Sequence, residues 1–323
     1  MTDAHCHVTG GDPSVRELLI GRDFVGVHPW EASTLSEEDA RRKTEDLASR
    51  LASSVSSPRP LLGVGEIGLD RLKEKNISPQ MRELFEAQLK LALEFRRPVV
   101  LHGAKCWGQV VAAIKKVEAE GKGKSSEQGE NKGMRQTVKE KNQTSAVCLQ
   151  LACSPCPSAF LFHGFSRSDG LIPDIVALGG FISVGPAVLN DHAVNYRELV
   201  KKIPSDRLLL ETDRTPENAA TCPSVREVAA KVAELRGLSL PDLEALTDGN
   251  VRSFLSTVTD SLACARSARD NRLAARIDSD EGVCARFAGD NRLAAQSSGG
   301  CAAFERTERA HASESVRVAE LQM

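Results

Sequence analysis

The sequence predicts an α/β barrel of parallel strands, and three observations carry that expectation. Short continuous apolar runs recur from residue 2 to residue 211. Nearly every run is followed by a stretch with the period of an amphipathic helix. Histidines and carboxylates stand at the ends of the runs rather than being scattered. Strands that read as unbroken apolar runs are buried on both faces, as in parallel sheets covered by crossover helices. In such a barrel the C-terminal strand ends converge on one mouth.

Taken in order, the first run is "TDAHC" (2–6). The segment 8–23 offers only "RELLI", read as a short or irregular second strand. "FVGV" (24–27) precedes an acidic helical pattern at 35–52. "LLGVGEI" (61–67) precedes a helix over 79–95, apolar at Met81, Leu84, Phe85, Leu89 and Leu93. "PVVL" (98–101) precedes "GQVVAAIKKVEAE", and "AFLF" (159–162) precedes "GLIPDIVALG". "GFISV" (180–184) precedes "YRELVKKI". "RLLLE" (207–211) precedes "PSVREVAAKVAELRG" and "PDLEALTDGNVRSFL". Seven strands are clear. With the irregular second one they make the eight of a TIM-type (β/α) barrel.

Two regions break the alternation. Residues 118–146 are polar, Gly/Ser-rich and Lys-rich, and read as a disordered insertion, a solvated loop rather than a basic flap. Beyond residue 257 the composition changes, and "CARSARDNRLAAR" (264–276) is echoed by "CARFAGDNRLAAQ" (284–296). Two copies are too few for a solenoid. The expected organisation is a barrel over 1–257 and a weakly ordered extension over 258–323, with an imperfect 20-residue repeat and a helical segment at 304–321.

Composition narrows the class. The 323 residues carry a formal net charge of −2, so the whole chain has no basic footprint that would call for nucleic acid. Nine cysteines form no regular framework and read as reduced thiols, with the protein expected inside the cell, in the cytoplasm or alternatively the nucleus. Cys148, Cys153 and Cys156 lack a fourth partner for zinc and read as free. No apolar run reaches the ~18 residues of a membrane helix. One Tyr and two Trp argue against a broad base-stacking surface.

His5 and His7 lie at i and i+2 of a strand and project to one side, with Cys6 to the other. His28, His102 and His163 each follow an apolar run at once or within a step. Glu66 ends "LLGVGE", and Asp213 follows "RLLLET". His192 and His311 fall in helical or tail sequence and are given no role. A donor set of nitrogen and oxygen suits zinc, manganese or magnesium. Four histidines and two carboxylates are too many for one tetrahedral ion with an open position. Two divalent ions sharing a carboxylate accommodate them, a device that activates water in phosphoester hydrolysis.

The ordered motifs "TDAHCHV", "VGVHPW", "GVGEIGLD", "PVVLHGAK", "FLFHGF" and "LLLETD" resemble the TatD-like metal-dependent deoxyribonucleases, from residue 2 to "GNVRSFL" near 255. The resemblance implies a TIM-type barrel and metal-dependent cleavage of DNA phosphodiesters, in several members as a 3′-to-5′ exonuclease. It implies that His5 and His7 hold one ion with Asp213, that Glu66 bridges both, and that His102 and His163 complete the second site. His28 would sit near the scissile phosphate. The segment after His7 is far shorter than the family's, and "ETDRTPE" departs from its usual continuation.

Further roles follow with alternatives. Asp213 orients the attacking water and takes its proton, or only ligates. Asp70 steadies a histidine, or shapes a turn. Lys105 meets a phosphate, or is a solvated loop lysine. Trp30 and Trp107 stack on a base, or pack under a loop. Gly65 and Gly68 let the backbone turn tightly around Glu66. The partner is DNA or another phosphoester, with no membrane and no protein partner indicated. The competing functions are a barrel hydrolase acting on an amide or lactone, a phosphomonoesterase on a seven-stranded barrel, and a non-enzymatic scaffold.

Overall fold

The computed structural model describes residues 1–54, 57–72, 75–127, 159–256 and 258. Cys148, Cys153, Cys156, the repeat, the 304–321 segment and His311 lie outside them. Eight parallel strands form the ring: β1 (Thr2–Cys6), β2 (Arg16–Leu19), β3 (Phe24–Val25), β4 (Gly63–Asp70), β5 (Val99–Ala104), β6 (Phe160–Phe162), β7 (Gly180–Val184) and β8 (Leu208–Leu210). The expected irregular second strand is β2. It pairs with β1 across a nine-residue connection without the usual crossover helix.

Strands β3 to β8 form one continuous ladder in chain order, and β1–β2 form a separate pair. A single bridge, Ile20 with Phe24, joins the pair to β3. At the other seam, Asp213 N–H donates to His5 O at 3.0 Å and His7 N–H donates to Arg214 O at 2.8 Å. The buried Asp3 carboxylate adds a stitch from β1. It accepts from Thr212 N–H at 3.0 Å and from the Thr212 hydroxyl at 2.6 Å. Side chains and single hydrogen bonds therefore close a ring that is otherwise a regular ladder.

Strand alternation divides the interior into two floors. Val100 and His102, Leu161 and His163, Phe181 and Ser183, and Leu209 and Glu211 are i, i+2 pairs. The first of each pair belongs to a lower apolar cluster with Phe24, Phe254, Leu255 and Val258. The second reaches the mouth. The opposite strand faces, with Val99, Leu101, Phe160, Phe162, Ile182, Val184, Leu208 and Leu210, lie in the larger core under the helices. Full burial of one such side chain contributes about 1.5–3 kcal/mol.

The helices are α1 (Pro29–Ala32), α2 (Glu37–Ser54), α3 (Pro79–Glu94), α4 (Trp107–Glu127), α5 (Ile172–Ala177), α6 (Val194–Lys202), α7 (Val225–Arg236) and α8 (Leu240–Phe254). Their starts follow capping chemistry. Ser78 and Ser239 accept from backbone N–H groups three residues on, and Ser224 with Glu227 forms a capping box. Helix α4 runs ten residues into the stretch expected to be unstructured from 118. Ion pairs explain how its polar end stays attached: Lys116 reaches Glu86 at 2.7 Å, and Glu120 meets Lys90 at 2.9 Å, both on α3. The remainder of 118–146 lies outside the described residues.

Candidate metal centre

Seven of the residues singled out in sequence meet at the C-terminal mouth. His5 lies within β1, and His7 follows its end. His102 lies on β5, and His163 follows β6 directly. His28 precedes α1, where its Nδ1 accepts from Trp30 N–H at 3.2 Å. Glu66 arrives by a different device. The β4–β5 register shifts between Val64 and Ile67. An extra residue there moves the alternation by one, so Val64, Ile67 and Leu69 all face the helices while Glu66 and Asp70 face the mouth. The Gly65–Glu66 peptide is cis. A Cβ on Gly65 would stand 2.7 Å from Val100 Cβ, so only glycine lets β4 lie this close to β5. Asp213 has φ +50°, the left-handed region that aspartate tolerates better than most residues.

The two oxygens of Glu66 face different partners. Oε2 lies 3.7 Å from His5 Nε2 and 3.6 Å from His7 Nε2, and Asp213 Oδ1 lies 3.4 Å and 3.6 Å from the same two nitrogens. Oε1 lies 2.6 Å from His102 Nδ1, 2.7 Å from His163 Nε2 and 3.7 Å from His28 Nε2. The ligand atoms of His5, His7 and Asp213 fall within 4.8 Å of one another. So do those of His5, Glu66 and His163, and those of His28, Glu66 and His102. His28, expected beside the substrate, thus sits within ligand distance of the cluster.

These residues fit divalent ions. Two donors at 2.0–2.2 Å from one tetrahedral ion stand about 3.4 Å apart, close to the separations around Oε2. Both ring nitrogens of the fully buried His5 lack a hydrogen-bond partner, although Nε2 faces two carboxylates. A cation between them satisfies that nitrogen and both oxygens.

Burial would raise the Glu66 carboxyl, but the His163 charge and bonds to His102, His163 and His28 hold it well below the usual carboxylate range. Asp213 is likewise held low against burial by His5 and His7. His102 and His163 move the other way. Burial works against their charge, yet Asp70 and Glu66 raise His102, and Glu66 and Glu211 raise His163.

Buried carboxylates stand behind the histidines. Asp70 Oδ2 accepts from His102 Nε2 at 2.8 Å, so Asp70 steadies a histidine and also shapes the turn through Leu72 N–H. Glu211 accepts from Gly164 N–H at 2.8 Å and from Ser183 Oγ at 2.5 Å, and its Oε2 lies 3.7 Å from His163 Nδ1. Sequence reading passed over Glu211 and Asp3. Their signal was a charged residue embedded in a buried strand pattern. For Asp3, burial outweighs three hydrogen bonds and pushes the carboxyl up to about 7.

A groove of ≈ 1260 Å³ opens from Asp213 and Glu211, lined among others by Arg167, Tyr196, Asn218 and His192. His192 therefore borders the groove while standing outside the Glu66 cluster. Lys105 is exposed in the turn after β5, with φ +56°. Trp107 is buried against Phe162 and Phe165, the packing alternative. Trp30 stays at the mouth.

A sequence model described as "TatD related DNase" matches residues 22–256. The chain belongs to the TatD-related DNase family. The matched stretch begins after β2; His5 and His7 precede it and reach the site across the seam between β1 and the turn after β8. The chain is 26 % identical over 247 residues to the "uncharacterized metal-dependent hydrolase YabD" of Bacillus subtilis, covering 73 % of this chain and 79 % of that one. It is 27 % identical over 242 residues to the "3'-5' ssDNA/RNA exonuclease TatD" of Klebsiella pneumoniae, covering 71 % and 75 %. Among solved structures, YJJV, a TatD homologue from Escherichia coli, superposes with TM-score 0.55 at 21 % identity, over 79 % of this chain and 97 % of that one. An uncharacterized amidohydrolase from Saccharomyces cerevisiae superposes with TM-score 0.52 at 18 % identity, over 74 % and 80 %. The TIM-type barrel and membership of a metal-dependent hydrolase family follow. Among the described residues no helix is long and apolar enough to cross a membrane.

Proposed function

We propose that this member of the family is a phosphodiesterase that trims nucleic-acid 3′ ends, with DNA as the expected substrate. One observation carries the reading: a single buried carboxylate, Glu66, turns each oxygen toward its own set of imidazoles. His5, His7 and Asp213 would hold one ion, His102 and His163 a second, and Glu66 would touch both. His28 stands at the edge of the second set. Divalent magnesium, manganese or zinc, when bound, supplies Lewis-acid polarisation of the phosphodiester and a nucleophile at neutral pH.

The chain's own groups do the rest. Asp213 stays ionised and orients the attacking water, with its carboxylate oxygen as the first acceptor for the departing proton. Asp70 holds His102 by a hydrogen bond, and the Glu211 carboxylate stands 3.7 Å behind His163 Nδ1. His28 and the exposed Lys105 would meet the incoming phosphate.

The decisive assay follows release of nucleotides from single-stranded DNA across magnesium, manganese and zinc, with an EDTA control. Metal-dependent shortening from the 3′ end supports the reading. Hydrolysis of amide or lactone substrates alone would replace it.

A further inference from the structure

The groove that opens from Asp213 and Glu211 carries charges of both signs, and nearly all of them are matched within the protein. Its lysine, Lys202, reaches Asp169 at 2.6 Å, and its Glu198 meets Lys201 at 2.7 Å. Glu211 and Asp213 face the histidines of the cluster. Arg167 is the exception. It lines the same groove, is exposed, and makes no hydrogen bond or ion pair with any described residue. The carboxylate two residues on, Asp169, is already taken by Lys202. The backbone of Arg167 is unusual too. Its φ is +58°, the left-handed region that an arginine enters only at a cost and a glycine enters freely. A long cation is thus kept at a strained position where it pairs with nothing internal, which points to a ligand outside the chain.

The position of Arg167 limits what that ligand is. It stands four residues after His163, and four residues span at most about 14 Å. Yet it forms no ion pair with Glu66, Glu211 or Asp213, so it stands clear of the cluster's own carboxylates. We propose that Arg167 clamps the phosphate on the 5′ side of the scissile one, and that the groove is the track of the strand that remains after cleavage. The proposal rests on the phosphodiesterase reading and adds that the substrate must bring a second anionic linkage. A strand ending in a 3′-hydroxyl has no phosphate beyond its last nucleotide, so the second anion lies on the 5′ side. A guanidinium fork matches two phosphate oxygens at once and carries no base preference.

Arg167→Gly tests this in the full-length protein with magnesium, because glycine removes the cation and suits the left-handed backbone. The probes are two labelled single-stranded DNA oligonucleotides whose 3′-terminal linkage is a non-hydrolysable methylenephosphonate. In one the next linkage is an ordinary phosphodiester, and in the other it is a neutral methylphosphonate. By anisotropy, wild type should bind the charged probe about tenfold more tightly. Arg167→Gly should lose that difference, and Arg167→Lys should recover part of it. The slope of log affinity against log salt concentration should fall by about 0.7 in Arg167→Gly. On a cleavable strand the same variant should raise KM about tenfold and lower kcat much less, with thermal unfolding no earlier than in wild type.

Equal affinity of wild type for the two probes overturns the clamp. So does an Arg167→Gly variant that still distinguishes them, or one that loses kcat and thermal stability together. A wild-type protein that prefers the charged probe through Arg167 but cleaves no phosphodiester overturns the phosphodiesterase reading and leaves the clamp supported.

Discussion

The two sides of the Glu66 carboxylate differ in construction. Around Oε2 the donors come from β1 and from the turn after β8, across the seam of the barrel, and stand 3.4–3.7 Å apart. Around Oε1 the donors come from neighbouring strands of the continuous ladder and are drawn in to 2.6 and 2.7 Å. Asp70 hydrogen-bonds His102 there, and Glu211 stands near His163. One side has ion-like spacing and relies on long-range closure. The other is braced locally, and an ion there must replace two charge-assisted hydrogen bonds. On the proposed reading, one bridging residue would serve two sites that differ in readiness.

The largest test removes what the sides share. Glu66→Gln keeps the volume but places on one side an amide that cannot ligate. Hydrolysis is expected to fall at least ~10²-fold, with metal content dropping from two ions to one or none. Activity near wild type would end the two-sided picture. His192→Ala, outside the cluster, should lower turnover much less.

A smaller effect sharpens the difference between the sides. Asp70→Asn disturbs the brace behind His102 and leaves the Oε2 donors alone. Affinity for the weaker-bound ion should fall about 10–100-fold, measured by metal titration, while the tighter step stays put. Loss of both steps together would show that the sides are not separable.

Proton linkage gives a gentler gradient. His102 and His163 are pulled upward by their carboxylates, so each imidazole beside Glu66 holds its proton more tightly than a free one. An ion that takes their nitrogens must displace those protons. Affinity at the Oε1 side is therefore present at high pH and lost as pH falls through their raised values, by about tenfold per pH unit for each proton displaced. Two titration steps of equal pH slope would erase the distinction.

The smallest expected effect comes from removing segments that lie outside the described residues. Deleting 128–158 with a short linker, or everything after Val258, should leave metal content unchanged and unfolding cooperative. Truncation must spare Leu255 and Val258, which are buried in the lower apolar floor. Loss of cooperativity on removing 259–323 would show that this segment contributes to the barrel.

Much of this was legible in the chain. The strand order and the gathering of His5, His7, His102, His163 and Asp213 follow from apolar runs with polar residues at their ends, because parallel strands deliver their C-termini to one face. What stayed hidden depends on residues far apart or on a one-residue irregularity. The glycines of "GVGEIGLD" point to a tight turn around Glu66, but not to the one-residue register shift that turns both Glu66 and Asp70 to the mouth. The indole of Trp30 finds Asp70 forty residues on. Asp3 and Glu211 read as members of strands, and only packing reveals them as buried acceptors. The helix carries on past residue 118 alongside ion pairs from Lys116 and Glu120 to α3, which composition does not report.

The stitch between Asp3 and Thr212 spans 209 residues of chain. During synthesis β1 emerges beside β2, a partner only a few residues away, and then waits while six more strands are made. Long-range pairing of this kind is the slow part of assembling a fold, because chain entropy must be given up before the contact forms. The strand that carries His5, with His7 just beyond its end, is thus made well before the partner that seats it. A nascent chain shorter than Asp213 has the imidazoles but not the pocket, so tight metal uptake should report completion of the ring.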